Sequence, residues 1–117
     1  MASAPRRRVA IATLAPPGEC CPYLHEAVEL VGKRWTGAIV YVLLEGGSMR
    51  FSEIGSAVPN LSDRLLSERM KELEAEGIVE RRVIDDTPVR VEYVLTQKGE
   101  ALEPAVRALK RWANAWL

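Results

Sequence analysis

Arg64, Ser67 and Lys71 carry a guanidinium, a hydroxyl and an ammonium at steps of three and four residues. On a helix those steps return to one side of the cylinder, so three hydrogen-bond donors would reach outward together. Ser62 and Asp63 stand one turn earlier. Such a set suits phosphate oxygens and base edges. Arg binds guanine through two parallel bonds, Lys meets phosphate or guanine, Ser bonds to either, and Asp accepts from a cytosine amino group. Asp63 and Glu68 dilute the positive charge, and Asp63 serves equally well to cap a helix N-terminus. The plainer reading is a solvated charged face, which most surface helices have.

Three further positions carry chemistry. Arg50 and Ser52 open another short helical segment, where a basic group and a hydroxyl suit phosphate; simple capping by Ser52 is the alternative, and both can hold. Arg90 follows a polar turn and can enter a minor groove or pair with phosphate. The neighbouring Asp85-Asp86 would repel a nucleic acid, so these carboxylates either face solvent or restrain Arg90. Cys21-Pro22 places a sulfur at a helix start, where the helix dipole favours the thiolate. His25 lies one turn on. The alternative is an inert thiol acting as a small apolar group. Adjacent Cys20 and Cys21 suit an intersubunit disulfide better than a strained ring between neighbours. Cys20, Cys21, His25 and Glu26 match no standard zinc spacing, so no metal or other cofactor is expected.

The elements that must position these groups follow from periodicity. Proline at 22 starts a helix whose apolar residues Leu24, Ala27, Val28 and Val31 recur at helical spacing, with Gly32 as its stop. Thr36 is a plausible cap for a second helix, about 36–44, apolar on most faces and so the central buried one. A third covers about 51–58. Ser62 caps a fourth running to about 76, with Gly77 as its stop. On it Leu66, Met70 and Leu73 share the face opposite Arg64 and Lys71. Residues 78–84 and 89–95 read as two strands joined by Asp85-Asp86-Thr87-Pro88. Thr96 caps a last helix to residue 117, in which Pro104 implies a kink or a later start. There Leu102, Val106, Leu109, Ala113 and Trp116 form a coiled-coil-like seam, and Trp112 and Trp116 suit a dimer interface.

The order is helix, helix, helix, recognition helix, hairpin, helix: an α+β, mostly helical, winged helix-turn-helix. Residues 1–19 read as a flexible basic arm carrying Arg6, Arg7 and Arg8, and residues 20–117 as the domain. At 117 residues the chain suits one modest core. No apolar run approaches the roughly 20 residues that span a bilayer, and the arm makes a poor export signal, so a cytoplasmic protein is expected. The formal charge is zero, with 16 basic and 16 acidic residues. That argues against strong non-specific nucleic-acid binding without excluding specific binding. One His, no Gly-rich phosphate loop and no nucleophile elbow leave catalysis without support.

Several strings then resemble the HxlR-type winged helix-turn-helix regulators of the MarR-like group. They are Cys21-Pro22, Gly32-Lys33-Arg34-Trp35-Thr36, Arg50-Phe51-Ser52-Glu53-Ile54, Leu61-Ser62, Leu65 through Glu74, Pro88 through Tyr93, and Leu95-Thr96-Gln97-Lys98-Gly99. The resemblance covers about residues 20–117; Cys20 and the arginine arm depart from it. It implies a homodimeric, non-enzymatic regulator that binds double-stranded DNA, with contacts from Arg50, Ser52, Ser62, Asp63, Arg64, Ser67, Lys71 and Arg90. It implies dimerisation through Leu102, Val106, Leu109, Trp112, Ala113 and Trp116. Because several family members sense oxidants or electrophiles through the cysteine of this motif, it also marks Cys21 as a redox sensor. A palindromic operator and a repressor role are expected. The rivals are a winged-helix protein-interaction module that does not bind DNA, and a regulator triggered by a small aromatic ligand.

Overall fold

The computed structural model describes residues 21–117. The basic arm and Cys20 lie outside the described residues. The described residues divide into two units, with the boundary between Arg34 and Trp35. The first contributes α1, Pro22–Val31. Cys21 is its N-cap residue, in extended conformation, and Gly32 closes it with an N–H donated to the Val28 carbonyl. No residue of α1 is buried, and Leu24 and Val28 are exposed.

The second unit runs α2 (Thr36–Gly46), β1 (Met49–Arg50), α3 (Phe51–Ala57), α4 (Asp63–Ala75), β2 (Val79–Ile84), β3 (Arg90–Leu95), α5 (Gln97–Glu100) and α6 (Glu103–Trp116). This is the expected mixed α+β winged helix-turn-helix. The strands form an antiparallel sheet in the order β1-β3-β2. Ile39, Val40 and Leu43 of α2 are buried with Ile54 of α3, and with Leu66, Met70 and Leu73 of α4. Ile78, Val79 and Leu95 close the core from the sheet side. Burying one stripe of α4 leaves its polar stripe outward, as the 3.6-residue period requires.

The ends of α4 are set by local chemistry. Ser62 Oγ accepts the Leu65 N–H at 3.2 Å, satisfying one of the donors a helix start leaves open. At the other end Gly77 takes φ +75°. Its N–H goes to the Glu74 carbonyl and that of Ile78 to the Leu73 carbonyl, which together make a Schellman ending. Lys98 Nζ donates to the Glu76 carbonyl at 2.7 Å. Thr96 Oγ1 donates to the Gly77 carbonyl and accepts the Gly99 N–H. The recognition helix is thus fastened at its C-terminus to the segment that leads into α6.

Two expected caps need correction. Thr36 does not cap α2. Trp35 does, at φ +81°, its carbonyl accepting the Ile39 N–H at 3.0 Å, so the ladder begins one residue earlier and Thr36 is buried. Ser52 does not cap α3 either. The N-cap is Arg50, whose N–H donates to Glu53 Oε1 at 2.8 Å; a carboxylate three residues on satisfies that donor. The pair Met49–Arg50 forms a strand that periodicity missed, because two residues carry no period. Of the kink and the later start that Pro104 implied, the later start is found: Thr96 caps the four-residue α5, and α6 begins afresh at Glu103 with Pro104 in its first turn. A proline is tolerated there and excluded further in.

Candidate nucleic-acid interface

The outward side of α4 carries Ser62, Asp63, Arg64 and Lys71, all exposed, with Ser67 half-buried at its flank. Asp63 lies in the first turn, where a carboxylate complements the helix dipole. Arg64 Nη1 pairs with Glu68 Oε2 at 3.0 Å. That pair is open to water and therefore weak and exchangeable. The helix so presents one guanidinium, one ammonium and two hydroxyls from a rigid, doubly capped scaffold.

Arg50, Ser52 and Arg90 are not on this helix. Arg50 and Ser52 are exposed at the start of α3. Arg90 sits on the hairpin and is held there: Nη1 lies 3.0 Å from Asp86 Oδ2, and Nε lies 3.2 Å from Glu92 Oε2. Both readings of the acidic turn hold in part: Asp85 and Asp86 are exposed, and Asp86 also restrains Arg90. Glu92 itself accepts from Ser48 Oγ at 2.7 Å. Ser48 and Glu92 were not singled out in the sequence. The alternation of β3 puts Glu92 on the side of Arg90, but nothing local announces that β1 lies alongside.

The proposed dimer residues fall into two sets. Val106 and Ala113 of α6 line, with Ala38 and Tyr41 of α2 and with Leu109 and Lys110, an open groove of about 310 Å³. Leu109, Trp112 and Trp116 are exposed, and Leu102, just before α6, is half-buried. Arg107 ties the two helices by pairing with Glu45 and Glu103, each at 2.8 Å. These carboxylate hydrogen bonds raise its already high pKa. Lys110 Nζ donates to Tyr41 Oη at 2.9 Å, and that bond raises the lysine pKa. Cys21, the sensing candidate, is half-buried at the N-cap of α1 and makes no capping bond through its side chain. Among the described residues no three His, Cys, Asp or Glu side chains gather as a metal site, and no helix is long and apolar enough to cross a membrane.

With that geometry in place, comparison with known proteins decides the lineage. The model of the HxlR-like helix-turn-helix family matches residues 30–117. The chain belongs to the HxlR-like family. It is 56% identical over 99 residues to the uncharacterized HTH-type transcriptional regulator YvaP of Bacillus subtilis, covering 85% of this chain and 91% of that one. It is 47% identical over 94 residues to the HTH-type transcriptional regulator YodB of the same organism, covering 80% and 83% respectively. The solved reduced form of YodB superposes with a TM-score of 0.75 at 45% identity, covering 84% of this chain and 95% of that one. YodB has also been solved diamide-treated and quinone-bound. This HxlR-like chain is therefore a helix-turn-helix transcriptional regulator, related to regulators that have been solved in oxidant- and quinone-treated states.

Proposed function

We propose that this regulator is a repressor that binds a palindromic operator as a homodimer and is released from it by oxidants or electrophiles acting at Cys21. The observation that carries the DNA reading is α4. Its apolar stripe is locked in the core, both its ends are capped, and Arg64, Lys71 and the two serines are left on the outside. A helix so held suits a major groove, and two of them about one helical turn apart suit a palindrome. Exposed Leu109, Trp112 and Trp116 support dimerisation through α6, with the exposed apolar residues of α1 as a second contribution. Wing contact by Arg90 and phosphate contact by Arg50 and Ser52 complete the interface. The protein is then a non-enzymatic, cytoplasmic DNA-binding factor. Binding-site selection from random duplexes tests this: a palindrome with half-sites one turn apart should be enriched. An intact dimer that enriches nothing would favour a protein-interaction module instead.

The trigger reading rests on the placement of Cys21 at the N-cap of α1 and on the kinship with YodB. Oxidation of Cys21 with its counterpart in the second copy would remove two electrons and two protons from a thiol pair, the oxidant accepting them, and form one S–S bond. Diamide treatment should therefore yield a reducible dimer on a denaturing gel and loss of operator binding. A Cys21→Ser protein should show neither. If that variant is released from DNA by diamide as readily as the parent, the sensor lies elsewhere.

A further inference from the structure

The outer face of the sheet gathers charges that the recognition helix leaves unused. Glu92 stands opposite Arg50 of β1 and opposite Arg82 of β2. Directly opposed residues of antiparallel strands share a face, and Arg90, two residues from Glu92, shares it too. Three guanidinium-bearing residues thus share this face with Glu92 and with Glu80 of β2. Arg90 is the most constrained, gripped by Asp86 from the turn and by Glu92 from its own strand at 3.0 and 3.2 Å. Ser48 holds Glu92 in place at 2.7 Å, and Arg82 is occupied by Glu80 at 3.3 Å. The Arg90 Nε–H is shut off from water, yet it is not aligned for a hydrogen bond with Glu92. That side of the grip is a charge contact without a directed bond, which makes it easy to exchange.

We propose that Asp86 and Glu92 stand in for DNA phosphate in the unbound protein, masking Arg90, and that DNA binding exchanges these carboxylates for a phosphate. The inference rests on the DNA-binding reading above and adds a competitor built into the wing. Two oxygens of a carboxylate or of a phosphate can each accept from a guanidinium as a two-point partner, so one can replace the other without moving the hairpin. The exchange lowers affinity for every duplex, which suits a regulator that must not settle on non-specific DNA. It also changes the ion balance. Phosphate neutralisation releases a cation from DNA, but an uncovered Asp86 attracts one back, so the salt dependence is shallower than the number of phosphate contacts implies.

A double-mutant cycle on the full chain tests this, read by fluorescence anisotropy on the selected duplex and a scrambled one across a salt series. Asp86→Asn should tighten binding to both duplexes by about three- to tenfold and steepen the salt slope. Asp85→Asn, which removes the same charge one residue away, should do less. In an Arg90→Gln background Asp86→Asn should bring no gain. Glu92→Gln, on the regular strand, should repeat the Asp86→Asn effect and guards against damage to the turn. A gain that persists without Arg90, or that Asp85→Asn matches, would mean plain repulsion and overturn the proposal. So would unchanged or weakened binding by both Asp86→Asn and Glu92→Gln. Parent protein that binds neither duplex refutes the DNA reading itself, and its own binding curve tells the two failures apart.

Discussion

Replacing Arg64 with alanine should weaken operator binding by about 1–3 kcal/mol per half-site, about 5- to 150-fold, if the guanidinium reads a base. The substitution is clean because the side chain is 77% exposed and its pair with Glu68 lies on the helix surface. Losing such a pair changes stability by about 0–1 kcal/mol, so the folded fraction stays constant and the binding change reports the interface. Base reading and phosphate contact predict different patterns. A base contact relaxes specificity at one position of each half-site, whereas a phosphate contact weakens all duplexes alike and lowers the salt slope by about one. Titration against the selected operator and its single-position variants separates them. An unchanged curve removes Arg64 from the site. Glu68→Gln should act in the opposite direction, because the carboxylate no longer competes for the guanidinium.

That competition also bears on the zero net charge. The total is neutral because 16 acidic residues balance 16 basic ones, and Arg64, Arg82, Arg90 and Arg107 each have a carboxylate partner at 2.8–3.3 Å. Composition alone could count the charges but not show that Arg64 and Arg90, two of the candidate DNA-contacting arginines, are engaged before DNA arrives. The period of α4 was legible, since Leu66, Met70 and Leu73 must be buried together, and so were its caps, Ser62 and Gly77. The hairpin was legible from its alternation and its polar turn. What stayed hidden depends on distant partners: β1, the bond from Ser48 to Glu92, and the fastening of α4 by Thr96 and Lys98. The entry to α2 was hidden for another reason. A tryptophan at positive φ runs against the steric preference of nearly every residue but glycine, so local rules placed the cap on Thr36 instead.

The fastening at the end of α4 yields the sharpest stability test, because two physical effects oppose each other at Gly99. This glycine lies in α5, and helix propensity alone favours alanine there by about 1 kcal/mol. Sterics say the reverse. A Cβ at Gly99 would stand 2.3 Å from the Ile78 carbonyl oxygen and 3.0 Å from Leu95 Cδ2. The carbonyl cannot easily retreat, since it also accepts the Thr96 N–H at 2.9 Å and follows the Schellman end of α4 directly. Overpacking of this kind costs about 1–3 kcal/mol and at times more, so Gly99→Ala should be destabilised on balance, with a melting temperature lower by roughly 4–10 °C. Gly46→Ala is the matched control. Its Cβ would overlap Met49 Sδ at 2.5 Å, but a flexible thioether side chain can swing aside where a hydrogen-bonded backbone cannot, so that variant should melt close to the parent. If Gly99→Ala melts at or above the parent temperature, the junction is looser than its hydrogen bonds imply. If it melts lower, correctly folded protein assayed well below its midpoint should still lose operator affinity, because the displaced Ile78 carries the end of the recognition helix with it.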